Sequence, residues 1–174
     1  MRIVIGILVG LIVAVGLVFV VGLILPREHR AASRIALRRP PEEVWPVVRD
    51  LGSLVGTWSD LKSARRLPDQ DGKEVWEQNA GGFPLKLIID EATPPARMVT
   101  RVDAAPDATF GGIWTYEVSR TEGGSTVTVT EAGYVNNPLF RTMMKVMGAH
   151  KTADGYLSAL GKKFGETVKP EHVD

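Results

Sequence analysis

The chain has 174 residues, with 21 Lys and Arg against 20 Asp and Glu, a formal net charge of +1 and no cysteine. This even balance provides no bulk positive charge for binding nucleic acid, so we expect no nucleic-acid partner. The lack of cysteine excludes disulfides and thiol catalysis.

The first predicted element is a transmembrane helix at residues 3–25, a segment without any charged side chain. At about 1.5 Å per residue it is roughly 34 Å long, enough for a hydrocarbon core of about 30 Å. The alternative is a cleaved signal peptide, whose apolar region is normally only about 7–15 residues long. We therefore expect an uncleaved single-pass anchor in the cell membrane. Gly6 and Gly10 form a Gly-x-x-x-Gly pair, which suggests weak self-association of this helix.

The arginines around this helix predict its orientation. Arg2 alone precedes it, whereas the segment after it contains Arg27, Arg30, Arg34, Arg38 and Arg39. Positive residues concentrate on the cytoplasmic side of membrane segments, so we expect the rest of the chain to lie in the cytoplasm. We divide the chain into an anchor, a linker, one folded domain and a polar tail, at residues 1–26, 27–31, 32–166 and 167–174.

The folded domain is predicted to begin with a strand at residues 33–37. Pro41 then suits the first position of a short helix that runs to about Asp50. A second short helical piece is predicted at residues 51–58. Six strands follow, at residues 62–67, 74–79, 83–91, 98–103, 113–120 and 125–135.

A long helix closes the domain. Asn137 is a favourable N-cap and Pro138 a favourable first residue. From there to Phe164 the apolar residues recur at alternating gaps of four and three, as one face of a helix requires. The order of elements indicates an α+β fold, in which one antiparallel sheet curls around this C-terminal helix to cover its apolar face.

Several stretches occur together in a recognisable order: Arg39-Pro-Pro-Glu-Glu-Val-Trp45, Trp58, Gly112-Ile-Trp-Thr-Tyr-Glu117, Gly124-Ser-Thr-Val-Thr-Val-Thr-Glu131, Asn137-Pro-Leu-Phe-Arg141 and Tyr156-Leu-Ser-Ala-Leu-Gly-Lys-Lys-Phe-Gly-Glu166. In these the chain resembles the SRPBCC superfamily, the START-like or pollen-allergen-like helix-grip fold, and within it the polyketide cyclase/dehydrase and lipid transport group. The resemblance implies a cavity between sheet and helix that holds an apolar ligand. It does not imply a reaction, because the superfamily includes carriers, receptors and cyclases alike.

The hairpin around Gly123 and Gly124 determines which side chains share a face of the sheet. A four-residue loop pairs Arg120 with Ser125, and a two-residue loop shifts the pairing by two without changing the faces. With strand alternation, this predicts a pocket of several hundred Å³. The residues expected to contact its ligand are Phe83, Leu85, Leu87, Met98, Trp114, Tyr116, Val129, Glu131, Met143, Met147 and His150.

Two of these residues are candidates for chemistry. In an apolar cavity the pKa of Glu131 would rise, which suits a general acid or a hydrogen bond to a ligand. The alternative, which we favour, is a carboxylate at the cavity mouth that is solvated or paired with an arginine. His150 has Asp154 four residues later, a spacing that can orient a histidine. We favour a core or cavity-lining role for His150.

We expect neither a cofactor nor a metal, since the histidines have no ligand spacing and the glycines form no phosphate-binding pattern. The function we predict is a membrane-tethered binding module for a lipid or other apolar small molecule. One alternative is an enzyme of the cyclase/dehydratase type that uses Glu131 or His150. Another is an accessory subunit of a membrane complex.

Overall fold

The computed structural model describes residues 2–105 and 107–173, which form one long apolar helix and one α+β domain. The elements are α1 (Arg2–Ile24), β1 (Glu28–Leu37), α2 (Pro41–Arg49), β2 (Leu61–Gln70), β3 (Lys73–Ala80), β4 (Phe83–Thr93), β5 (Arg97–Val102), β6 (Phe110–Thr121), β7 (Gly124–Val135), α3 (Pro138–Met147), α4 (Lys151–Lys163) and β8 (Glu171–His172). The strands form one sheet in the order β2-β3-β4-β5-β6-β7-β1-β8, antiparallel throughout. The predicted α+β helix-grip architecture is confirmed.

The β6–β7 hairpin has the predicted register. Arg120 is opposite Ser125, and Tyr116 is opposite Val129. Because side chains alternate along a strand, this register places Trp114 and Tyr116 on the concave face of the sheet. The predicted alternation on these two strands therefore carries over directly into the fold.

The core lies between the concave face and helices α2 and α4. Leu157 and Leu160 of α4 are fully buried, as is Val44 of α2. Each buried side chain of this size contributes about 1.5–3 kcal/mol of hydrophobic stabilisation. Packing is therefore close where these residues of α2 and α4 meet the sheet.

The predicted single C-terminal helix is divided into α3 and α4. Asn137 caps α3 as predicted, with its side chain accepting from the backbone N–H groups of Leu139 and Phe140 at 2.9 and 3.3 Å. Gly148 then has a φ of +92°, a conformation that no helix accommodates and that favours glycine. The alternating gaps of four and three continue across this break, so periodicity alone could not detect it.

Three further boundaries differ from the prediction. Residues 51–58 form successive turns instead of a helix, and Gln78 holds them by donating to the carbonyl of Leu51 at 2.7 Å. Strand β1 begins at Glu28, inside the predicted linker 27–31, because it pairs along its whole length with β7. In the predicted polar tail, Glu171 and His172 pair with β1 and cover its free edge.

Helix α1 is long and apolar enough to span a membrane, and it is the one such helix among the described residues. It packs against α3. Gly22 lies so close to Pro138 that an added Cβ would be 1.9 Å from the Pro138 carbonyl oxygen. The Thr142 hydroxyl donates to the carbonyl of Val18 at 2.9 Å, and the Arg141 guanidinium donates to that of Leu25 at 2.9 Å. The C-terminal part of α1 is thus a packed part of the structure.

Candidate ligand pocket

A cavity of about 660 Å³ lies between the concave face of the sheet, the turns at residues 51–58 and helix α3. This volume lies in the range of about 300–1,000 Å³ that is usual for small-molecule sites. Most of the lining side chains are aliphatic or aromatic, including Leu54, Leu85 and Phe140. The cavity exists because α3 turns away from α4 at Gly148 and leaves this end of the sheet unfilled.

The mouth of the cavity is marked by lining residues that are also exposed. Phe83, Met143 and Met147 have 44%, 42% and 47% of their surface accessible. Phe83 follows the tight turn between β3 and β4. Its ring contacts those of Phe110 and Phe140, at centroid distances of 6.3 and 5.8 Å. These edge-to-face contacts join the hairpin to α3 across the opening.

The inner end of the cavity is lined by a row of four aromatic side chains. Trp58 lies edge-on to Tyr156 at 5.7 Å, Tyr156 is 5.3 Å from Tyr116, and Tyr116 is 6.1 Å from Trp114. Burial raises the pKa of Tyr156 well above its usual value, and burial likewise raises the pKa of Tyr116. Both phenols therefore remain neutral hydrogen-bond donors at any physiological pH.

The hydroxyls of these two tyrosines differ in their partners. That of Tyr116 is hydrogen-bonded to the side chain of Thr100. Among the described residues, neither the Tyr156 hydroxyl nor the Trp58 Nε1 has a hydrogen-bond partner, although both atoms are buried. Two unpaired polar groups are therefore buried within the side chains that form the inner wall.

Glu131 lies on the same wall, paired with a histidine. Its Oε1 is 3.1 Å from Nε2 of His29, and its side chain is 14% exposed. Its Oε2 is buried and has no partner among the described residues. The expectation of a solvated or arginine-paired carboxylate is therefore wrong, because β1 extends far enough to bring His29 into the cavity.

A family model described as polyketide cyclase / dehydrase and lipid transport matches residues 28–162. The chain belongs to this family. The match covers the whole sheet apart from β8, together with the helices α2, α3 and nearly all of α4. No curated protein sequence matches the chain significantly.

Solved structures with the same fold include members with very different sequences. The di-domain ARO/CYC BexL from the BE-7585A biosynthetic pathway aligns with a TM-score of 0.60 at 12% identity, over 84% of this chain and 52% of its own. This chain therefore spans about half the length of that protein. A conserved protein from Geobacillus kaustophilus aligns with a TM-score of 0.60 at 16% identity, over 84% of this chain and 100% of its own. Ara h 8.0201 aligns with a TM-score of 0.58 at 12% identity, over 80% of this chain and 99% of its own. At such identities the likeness shows the fold alone.

Within this family fold, the structure brings most of the predicted ligand contacts together. The predicted residues that line the cavity are Phe83, Leu85, Leu87, Trp114, Tyr116, Glu131, Met143 and Met147. Met98 and Val129 do not line it, although they lie on the predicted face. Both are cross-strand neighbours of Tyr116 and are fully buried in the core cluster that includes Leu157 of α4.

His150 is also outside the cavity. It precedes α4, where its Nδ1 lies 3.3 Å from the Ser33 hydroxyl and its ring stacks on His172 at 3.6 Å. Asp154 accepts from the Ser33 hydroxyl at 2.7 Å and lies 3.0 Å from His172 Nε2. Ser33 is fully buried, so this cluster ties α4 and β8 to β1 rather than meeting a substrate. The turn at Gly148 is the reason that His150 leaves the stripe facing the cavity.

Sequence reasoning missed three residues of the site. His29 falls in the predicted linker 27–31, and Trp58 and Tyr156 appear only in the stretches that carry the family resemblance, without a role in the site. The Tyr156 position follows from the contact of α4 with the turns at residues 51–58, which no local pattern contains. No group of three or more His, Asp or Glu side chains in the described ranges is arranged to hold a metal.

Proposed function

We propose that the protein is a membrane-tethered binding module for a lipid or other apolar small molecule. The cavity of about 660 Å³ carries this proposal, because a domain this small rarely leaves so large an apolar space without a ligand. The family description, which includes lipid transport, agrees with it. The ligand would lie between the concave face of the sheet and α3.

The contacts of α1 support its retention as an anchor. A cleaved signal peptide has no reason to pack into the mature domain, whereas Gly22 and Val18 of α1 both contact α3. Val18 lies about 9 Å before the end of α1, at about 1.5 Å per residue. If α1 spans a bilayer, α3 is therefore held at the membrane surface.

The exposed side of α3 suits that position. Val146 is 83% exposed, and Leu139, Met143 and Met147 are also exposed. The cavity mouth is formed partly by the same helix, so it would open beside the lipid. A tether of this kind shortens the path of a ligand that partitions into the bilayer and raises its effective concentration.

The test uses the full chain in lipid nanodiscs with pyrene as the apolar probe. Tryptophan-to-pyrene energy transfer should saturate stoichiometrically, because Trp58 and Trp114 line the cavity. Met147→Arg should abolish the saturable part by placing a charge at the mouth. Ile113→Arg is the matched control, since Ile113 is similarly exposed at 42% but faces away from the cavity. Equal signals from wild type and Met147→Arg would show that the probe is only in the lipid, and the binding function would fail.

We also propose that the domain lies in the cytoplasm, on the basis of the arginines after α1. A C-terminal reporter that is active only outside the cytoplasm should be silent when fused to the full chain. Its activity would reverse the orientation without affecting the binding function.

One observation favours a second candidate, an acid–base enzyme. Glu131 and His29 both line the cavity and are paired at 3.1 Å, an arrangement that suits a proton-transferring group. In that case Glu131→Gln should lower turnover by more than about a hundredfold while pyrene binding is retained. A loss of binding in parallel with activity would instead assign Glu131 to ligand contact.

A further inference from the structure

A second and smaller pocket, of about 280 Å³, lies where the chain that leaves α1 passes the C-terminal half of α3. This junction pocket is lined by Leu25 and Arg27 on one side and by Arg141, Lys145 and Gly148 on the other. It adjoins the cavity described above, with which it shares three lining residues. Small-molecule sites usually begin at about 300 Å³, so the junction pocket suits one polar group of a ligand rather than a whole apolar molecule.

Arg141 carries a charge that the surrounding protein does not offset. Ten arginines follow residue 30, and nine of them form an ion pair with a carboxylate. Arg141 is the exception among the described residues, although it is only 7% exposed. Its Nη1 and Nη2 donate to the backbone carbonyls of Leu25 and Asn136, which are neutral. Because a buried charge is costly without an opposite charge nearby, the wall of the junction pocket favours an anion.

The balance of charges around the junction pocket is close to one positive charge. Arg27 and Lys145 are exposed and form no ion pair in the part of the chain that the structure describes. With the buried guanidinium they supply three positive charges, whereas Glu28 supplies one negative charge. His29 also lines the pocket, but it is paired with Glu131. The carbonyl ends of α1 and α3 add roughly half a negative charge each. The remainder suits a singly charged phosphodiester better than a phosphate monoester, which carries about 1.5–2 negative charges at pH 7.

The position of the junction pocket indicates where such a phosphodiester would come from. Leu25, Pro26 and Arg27 follow α1 directly, so they would lie at the level of the lipid headgroups if α1 spans a bilayer. The bond of 2.9 Å from Arg141 to the Leu25 carbonyl holds the α3 side of the pocket at the same level. A phosphodiester at this level belongs to a phospholipid, whose chains would run beside the apolar surface of α1.

We propose that the junction pocket binds the phosphodiester headgroup of an anionic phospholipid. The exposed side chains of Arg27 and Lys145 contact the phosphate, and Arg141 supplies positive charge from the buried wall. The planar guanidinium of Arg27 can meet two phosphate oxygens at once, whereas Lys145 acts as a point charge. This site is separate from the apolar ligand proposed above and rests only on α1 as the proposed anchor. A bound headgroup would strengthen the junction of α1 with α3.

The test measures lipid binding to the full chain by native mass spectrometry of protein released from detergent micelles. The probes are dioctanoyl phosphatidylglycerol and dioctanoyl phosphatidylcholine, which have the same acyl chains and the same phosphodiester but differ in net charge. Wild type should bind one phosphatidylglycerol about tenfold more tightly than phosphatidylcholine at low salt, the effect of a charge-assisted contact. This preference should decrease at high salt, because the contacting side chains are exposed.

Three variants separate a defined site from the general charge near the anchor. Arg27→Gln and Lys145→Gln should each remove most of the preference and keep the melting temperature of wild type, since both side chains are exposed. Arg30→Gln is the matched control. It removes an exposed arginine that also forms no ion pair among the described residues but does not line the junction pocket. An equal loss of preference in all three variants would indicate diffuse surface charge and overturn the inference.

Two competitors test the source of the anion and the location of the lipid. Inorganic phosphate at the same concentration should not displace phosphatidylglycerol, and displacement would overturn the lipid as the ligand. Saturating pyrene should leave phosphatidylglycerol bound, whereas displacement would place the lipid in the larger cavity instead.

The headgroup site and the apolar binding function can fail separately. Equal wild-type affinity for the two phospholipids would overturn the headgroup site and leave the binding of pyrene unaffected. A preference for phosphatidylglycerol that depends on Arg27 and Lys145, in a protein that does not bind pyrene, would establish the headgroup site and refute the apolar binding function.

Discussion

Phe83 lies at the mouth of the cavity. It lies just after the turn between β3 and β4, and its ring contacts Phe110 on β6 and Phe140 on α3. It is also 44% exposed, so it forms the outer surface and the inner lining at once. We therefore expect a ligand that enters between the β3–β4 hairpin and α3 to displace this ring.

Phe83→Ala should therefore speed the release of a bound probe. Aromatic pairs contribute about 0.5–1.5 kcal/mol each beyond their buried area. If a leaving ligand must break one such contact, removing the contact lowers the barrier to release by that amount and raises the dissociation rate about twofold to tenfold. Stopped-flow displacement of pyrene from the full chain measures this rate, with Ile113→Ala as the control for removing an exposed apolar side chain. A rate unchanged from wild type would place the entry route elsewhere.

Strand alternation explains how far individual site residues could be predicted. Trp114, Tyr116 and Glu131 follow from the β6–β7 register, which the hairpin fixes locally. Met98 and Val129 share that face, but whether a residue on it contacts the cavity or the core depends on where α4 packs. His29 required the knowledge that β1 pairs with β7 as far as Glu28, a contact more than a hundred residues away in sequence.

At the scale of elements, the packing of α1 on α3 depends on one glycine. A Cβ added at Gly22 would overlap the Pro138 carbonyl, whereas a Cβ added at Gly16 of the same helix would have no atom within 4 Å. The sequence predicted a helix contact at Gly6 and Gly10. In the structure, however, a Cβ added at either residue would have no atom within 4 Å. A contact between distant segments leaves no spacing signal, so Gly22 could not be singled out from sequence.

Gly22→Ala should weaken this contact, because the backbone of Pro138 cannot move aside without displacing α3. The expected loss is about 1–3 kcal/mol, the usual cost of overpacking. Gly16→Ala should be neutral or slightly stabilising, since alanine is the better helix former. Thermal unfolding of both variants in nanodiscs measures the difference. Equal melting temperatures for the two variants would show that α1 and α3 do not pack together in the membrane.

The division of the last helix also has a consequence at this scale. A continuous helix from Asn137 to Phe164 would lie straight along the sheet and fill the space that α3 vacates. Gly148, with its φ of +92°, turns the chain so that α4 completes the core and α3 borders the cavity. The residues that form one amphipathic stripe in the sequence are therefore divided in the fold: those of α4 pack in the core, and those of α3 border the cavity.

At the scale of the whole molecule, the contacts of α1 would fix the height of the domain above a membrane if α1 is the proposed anchor. Arg141 donates to the carbonyl of Leu25, and its guanidinium also donates to that of Asn136 at 3.1 Å. The chain at the end of α1 is therefore bonded directly to α3. A rigid junction of this kind predicts that α3 and the cavity mouth lie within the interfacial region, and that the outer face of the sheet is in water.

Three single-cysteine variants test this arrangement, because the chain has no cysteine of its own. Ile12→Cys lies in the middle of α1, Val146→Cys on the exposed side of α3, and Ile113→Cys on the outer face of β6. Each carries an environment-sensitive fluorophore in vesicles that contain nitroxide lipids. We expect strong quenching at residue 12 by deep nitroxides, quenching at residue 146 by shallow ones, and none at residue 113.

Quenching at residue 12 alone would retain the anchor but place α3 in water, whereas no quenching at residue 12 would refute the anchor itself. Since Val146 is 83% exposed and does not line the cavity, a label there should not disturb pyrene binding, which can be measured on the same sample to show that the domain is folded.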